Sequence, residues 1–423
     1  MLTLKDLCLE SESLTLPNNA RIIHFRKHGS PLAVQLTFVA GSRFDKITGT
    51  AHFLEHLLVA GTKKYPTKDK LAVAIESYGG FFKAITGIES LSIKFAIGNP
   101  ENIKIISSLL EEMLFNSLFE DRIIEAERNA ILCELSDKES NPIKKNAMAF
   151  QQLLFRDTPL ENPTLGNPDS IKRISRTDLL SFYQSYILSG QAILVTSGDI
   201  SFEKINDHFF SILSKIRHKQ YLSVEPLKYP STQDISIKKQ KKISKIFFTY
   251  GFKTPPILHK DQPVLVILSQ LLGGGRSSLL MRKLRYEKGL VYGLNSWNRS
   301  LSDCGSWTIQ TSTNKNNFLE VLSIVKEQLI SIKANGIKTD ELSLVKNKII
   351  NFGLLGFQTS ESIVRFHTFR QFFHLDSVWT IEDYTRGIEN VTVEDVKRVV
   401  SNRFNKGYIS ILGNTDNIDK IRP

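Results

Sequence analysis

The strand and helix patterns of the first half of this chain return in the same order in the second half. This repeat constrains the fold more than any other feature. QAILVTSGDI (Gln191–Ile200) finds its counterpart in GYISILGNTD (Gly407–Asp416), about 216 residues further on. ISRTDLLSFYQSYI (Ile174–Ile187) matches VTVEDVKRVVSNRF (Val391–Phe404). FEDRIIEAERNAILCEL (Phe119–Leu135) matches KTDELSLVKNKIINFGLL (Lys338–Leu355). Alternating apolar stretches predict strands at Ala33–Phe44, Ser90–Ile97 and Ala192–Ile200, and again at Lys242–Phe252 and Gly305–Thr313. A helix is expected after Asn99-Pro100, with Ile106, Leu109, Leu110, Met113 and Leu114 as its apolar stripe. The reading is an α+β fold of two homologous domains, each a mainly antiparallel β-sheet packed with α-helices, related by duplication. A length of 423 residues suits two such cores. The expected boundaries are 1–216, a polar proline-bearing linker at 217–234, and 235–423.

Charge and cysteine usage narrow the function classes. The net charge is +12, yet the densest basic run, SIKKQKKISK (Ser236–Lys245), has no interleaved aromatics on which bases could stack. We therefore expect no nucleic-acid partner and read the lysines as a solvated surface. No apolar run approaches the ~20 residues of a membrane span. The first residues show no basic segment followed by an apolar core, and the expected location is cytoplasmic. Cys8, Cys133 and Cys304 are dispersed and odd in number, which suggests reduced thiols.

Within TAHFLEHLLVAGT (Thr50–Thr62), His52 and His56 stand four residues apart. On a helix they point the same way, close enough for two imidazoles to bind one ion, and imidazole suits zinc. Glu55 lies on the adjoining face, where it is placed to act as a general base in metal-assisted hydrolysis. A catalytic zinc needs a third protein ligand. The helical stretch Phe119–Leu135 offers Glu127 and Glu134, two turns apart on one face; one could bind the metal and the other support a histidine. The second repeat has no HxxxH, and Gly353 stands where Glu134 would fall. The metal-type residues are thus confined to one copy, which a purely structural role does not explain. His24, His28, His208, His218, His259, His367 and His374 show no ligand spacing and read as surface or core residues.

HxxEH followed by a paired-glutamate helix resembles the inverzincins, specifically the pitrilysin-like (M16) zinc peptidases. The resemblance runs through GSRFDKITGTAHFLEHLLVAGTKKYPT and ERNAILCEL, and into LLGGGRSSLLMRKLRYEKGLVYG. It implies that His52, His56 and Glu134 hold Zn²⁺, that Glu127 supports a histidine, and that Glu55 is the base. It implies that Arg285 and Tyr292 bind substrate and steady the oxyanion, a role for which preorganised donors are suited. The chain length resembles the short subfamily that includes mitochondrial processing peptidases and their bacterial relatives. This implies a peptide substrate in a chamber formed by a homodimer, or by a heterodimer with a related M16-like chain. A non-catalytic peptide-binding subunit is the rival reading, against which the intact HFLEH stands. One departure is YGGFFKAITG: Lys83 stands where the family's pattern has Asn. That segment is expected to be the edge strand on which a peptide pairs. A lysine there either favours an acidic residue near the scissile bond or deters edge aggregation.

Overall fold

The computed structural model describes residues 9–217, 234–239, 244–372 and 378–414. Cys8, His218, His374, most of the basic run's centre and all but the ends of the expected linker lie outside them. The described residues form two compact units.

One unit draws on the described residues within Met1–Asp137, Asn162–Ser223 and Leu354–Thr380. Its sheet has six strands, β1 (Ser11–Thr15), β2 (Arg21–Arg26), β3 (Leu32–Phe38), β4 (Gly80–Thr86), β5 (Leu91–Ile97) and β6 (Ala192–Gly198). Their order is β1-β2-β6-β3-β5-β4. All pairings are antiparallel except that of β2 with β6. The other unit draws on Lys138–Glu161, Val224–Gly353 and Ile381–Pro423. Its strands are β7 (Asp234–Lys239), β8 (Lys245–Thr254), β9 (Val291–Ser300), β10 (Gly305–Asn314) and β11 (Tyr408–Gly413), in the order β7-β11-β8-β10-β9. Here too a single pair, β11 with β7, is parallel. With β2 matched to β7 and β6 to β11, the two orders coincide strand for strand, and only β1 has no counterpart among the described residues. The duplication read from the sequence is therefore also a duplication of topology.

The compact units do not follow the two contiguous repeats. Helix Pro142–Leu154 packs on β7, β8 and β11 of the second unit, and helix Ser360–Gln371 packs on β3 and β6 of the first. The halves of the chain thus exchange equivalent helices. Each is started locally. Asn141 accepts from the backbone N–H groups of Ile143 and Lys144, with Pro142 next in line, and Thr359 forms a reciprocal cap with Ser362. Each is then secured by contacts distant in sequence. The Asn146 amide hydrogen-bonds the Thr249 and Ser410 hydroxyls, whereas His367 stacks on Phe25 with ring centroids 3.9 Å apart.

Apolar patterning accounts for what surrounds the candidate site. Ile106, Leu109, Leu110, Met113 and Leu114 are all buried along helix Ile103–Phe115. Phe53, Leu54, Leu57 and Leu58 of helix Thr50–Leu58 lie in the same core. Each such side chain contributes roughly 1.5–3 kcal/mol by leaving water. The strand expected over Ala33–Phe44 instead ends at Phe38, and a short 3-10 turn spans Ser42–Phe44. The cause is a close backbone approach: Ser42 and Arg43 N–H groups donate to Gly87 and Ile88 carbonyls, and a Cβ on Gly41 would lie 2.2 Å from the Ile88 oxygen.

Candidate metal centre

Helix Thr50–Leu58 begins at Gly49, whose φ of +98° is left-handed and whose missing Cβ leaves room for Ile171. Asp45 fastens this start. Its Oδ2 accepts from the Gly49 N–H at 2.7 Å and its Oδ1 from the Ala51 N–H at 2.8 Å. Burial pushes the Asp45 carboxyl up to about 7, against the pull of the Ala51, Gly49 and Thr50 N–H groups.

From that helix His52 and His56 project side by side, with ring centroids 4.7 Å apart. Helix Asp121–Ser140 lies against them. Its Arg128 holds it in place by donating to the Ile171 and Ile174 carbonyls, with the guanidinium over the Phe53 ring. Glu134 Oε2 lies 3.6 Å from His52 Nε2 and 3.8 Å from His56 Nε2. One donor atom from each of His52, His56 and Glu134 falls within 4.8 Å of the others, and this is the cluster of metal-binding type among the described residues. Glu127, one face-repeat earlier, reaches His56 instead, with Oε2 2.8 Å from Nδ1. Burial raises the Glu127 pKa, but the His56 hydrogen bond and the Lys68 charge outweigh it and hold the carboxyl below its ordinary range. A carboxylate on Nδ1 fixes the His56 proton there and leaves Nε2 with a free lone pair on the Glu134 side.

Glu55 is half-buried beside this cluster. Its Oε2 accepts a 2.7 Å hydrogen bond from the Thr86 hydroxyl, at the end of β4. Burial raises its pKa, opposed by Thr86 and His56 and reinforced by Glu134. Thr86 and Asp45 are two neighbours of the candidate site that the sequence reading missed. Thr86 lies within GGFFKAITG and Asp45 within GSRFDKITGTAHFLEH, four residues before the N-cap Gly49, so both carried a weak local signal.

The structure brings His52, Glu55, His56, Glu127 and Glu134 together within the first unit. Arg285 and Tyr292 belong to the second unit. There the Arg285 guanidinium lies 4.8 Å from the Tyr292 ring centroid, and Tyr292, on edge strand β9, is 80% exposed. Cys133, next to Glu134, is exposed, and Cys304 is buried; neither is in a disulfide. No helix among the described residues is long and apolar enough to cross a membrane.

Residues 25–168 match the family model "Insulinase (Peptidase family M16)", and residues 173–349 match "Peptidase M16 inactive domain". The chain is 27% identical to an uncharacterized zinc protease of Mycobacterium leprae, over 94% of this chain and 91% of that protein. It is 23% identical to the uncharacterized zinc protease YmxG of Bacillus subtilis, over 95% of each. Among solved structures it is similar to a peptidase M16 inactive domain from Pseudomonas fluorescens, with a TM-score of 0.88 at 19% identity, covering 96% of this chain and 99% of that one. A protease from Helicobacter pylori gives a TM-score of 0.87 at 20% identity, covering 96% and 100%. Two family models in tandem, the peptidase type over His52 and His56 and the inactive type from the end of the first repeat into the second, show that the chain belongs to the M16 peptidase family.

Proposed function

We propose that this chain is a zinc-dependent endopeptidase that hydrolyses peptides or unfolded segments. The observation that carries the reading is the convergence of His52, His56 and Glu134 beside a half-buried Glu55. Two imidazole nitrogens and one carboxylate oxygen form a donor set suited to catalytic zinc, with a coordination position left for a reactant. When bound there, zinc supplies a Lewis acid that makes water a nucleophile near neutral pH and polarises the scissile carbonyl.

The chain's own residues do the rest. Glu55 takes a proton from the attacking water and passes it to the leaving amine. The Thr86 hydroxyl donates to Oε2 and so orients the carboxylate. Glu127 keeps the His56 proton on Nδ1. On the likeness of the second repeat to its family, Arg285 and Tyr292 bind the peptide and steady the developing oxyanion. The working form is a dimer, of two copies or of this chain with a related M16-like chain.

The test uses the purified chain, its zinc content measured, incubated with a mixed peptide library read by mass spectrometry. Cleavage by the wild type, and none by a Glu55→Gln variant that still holds zinc, is the expected result. Appreciable turnover by Glu55→Gln would remove the base assignment. Zinc near one per chain without cleavage would point to an obligate partner chain, and absence of both zinc and cleavage would overturn the reading.

A further inference from the structure

The sheet face turned away from the HFLEH helix is positively charged from its open edge inward. Side chains alternate along β4. Thr86 reaches Glu55, and Phe82 and Ala84 pack against the core, so Lys83 lies on the opposite face and is exposed. Lys83 stands directly across from Lys94 on β5. Lys94 in turn lines a cavity of about 200 Å³ between β3, β5 and helix Ser360–Gln371, together with Arg365 and Glu361. Burial, Arg365 and Lys83 hold the Lys94 ammonium below its usual range, opposed by Glu361. Three cations thus share one carboxylate. Like charges opposite one another on paired strands repel, so an anion entering from the edge relieves a repulsion already built in.

That edge is open. β4 pairs with β5 on one side, and no strand among the described residues pairs with the other. Unpaired N–H and C=O groups on an edge strand are a template for a peptide in extended form. A peptide paired there has alternate side chains on the Lys83 face, roughly 5 Å away across the strand spacing.

We infer that Lys83, backed by Lys94 and Arg365, selects peptides carrying Asp or Glu at the residue that pairs with Lys83. This rests on the peptidase reading for its consequence in cleavage, but not for its consequence in binding. Lys83 lies three residues before Thr86, roughly 10 Å along β4. The acidic residue therefore sits about three residues from the one beside Thr86 and Glu55, and its side chain points to the other face.

Two measurements test the inference. The first compares kcat/KM for peptide pairs that differ only by Glu or Gln at one scanned position. We expect one position to favour Glu about fivefold at low salt, with the preference fading at high salt. It should disappear in Lys83→Asn, shrink in Lys94→Gln and invert toward Lys in Lys83→Glu. The second measures binding of fluorescein-labelled versions of the same peptides to Glu55→Gln, which reads the preference without turnover. If the wild type neither holds zinc nor cleaves but the acidic preference in binding persists, the peptidase reading falls and this inference stands. Equal binding of the Glu and Gln peptides at every position overturns it, and aggregation of Lys83→Asn without a change in preference would reassign Lys83 to protecting the edge.

Discussion

His56 Nδ1 and Glu127 Oε2 lie 2.8 Å apart, so the carboxylate one helix away dictates which nitrogen of the ring is free for a metal. Removing that carboxylate leaves the ring and its position on the helix but loosens its tautomer and orientation. Glu127→Gln should lower zinc affinity about 10- to 100-fold, as is usual when the hydrogen-bond partner of a ligand histidine is changed. Competition with a chelator of known affinity measures it. An unchanged zinc affinity would show that Glu127 plays no part in holding the ring.

The Thr86 hydroxyl donates a 2.7 Å hydrogen bond to Glu55, alongside one from the Thr86 backbone. Thr86→Val keeps the side-chain shape and β-branching but removes the hydroxyl. We expect kcat to fall about tenfold, with KM and zinc content little changed, because a misoriented base costs rate rather than binding. Thr86→Ser should recover most of the loss. Equal defects in the Val and Ser variants would instead indicate a packing role.

Arg43 and Glu89 form a buried ion pair, with Nη1 2.7 Å from Oε1 and both side chains 4% exposed. The pair ties the turn that leads into Asp45 and the histidine helix to the hairpin between β4 and β5. Glu89→Ala leaves a buried guanidinium without this partner, which costs about 3–5 kcal/mol. Urea denaturation should show the loss in the midpoint with an unchanged slope. A change under 1 kcal/mol would mean that water replaces the carboxylate.

His24 and His367 are buried, and burial lowers each ring to about 4. The unfolded rings titrate near 6.5. Between those values the unfolded chain binds protons that the native chain does not, so stability falls as pH drops from about 6.5 toward 4. Each ring accounts for up to about 3 kcal/mol of that fall. Asp45 acts in the opposite sense, because a carboxyl pushed up to about 7 takes up a proton on folding. The clean readout is therefore a difference. His24→Asn should be less stable than the wild type at pH 7.5, and the gap should narrow as the pH approaches 4. A gap independent of pH would show that His24 does not titrate on unfolding.

The site was legible in the sequence wherever neighbours in space are neighbours along a helix. His52, Glu55 and His56 share one turn, and Glu127 and Glu134 share one face, because the helical period alone brings them together. The distribution of tasks between the two glutamates was not legible from spacing. It depends on where helix Asp121–Ser140 crosses the histidines, which Arg128 sets through Ile171, Ile174 and Phe53.

By itself the sequence determined the elements and their repetition, since alternation and the helical period are properties of short segments. Hence β5, β6, β8 and β10 lie within a few residues of where apolar patterning puts them, whereas β3 starts as expected but ends at Phe38. Tertiary structure alone decided what pairs with what. It assigned helix Pro142–Leu154 to the sheet of the other half and Ser360–Gln371 to the first, because an apolar helix face binds whichever sheet face is uncovered, regardless of distance along the chain. It also set Thr86 against Glu55 and Lys83 against Lys94, since contacts between strands follow register, and register is settled only when the whole sheet forms.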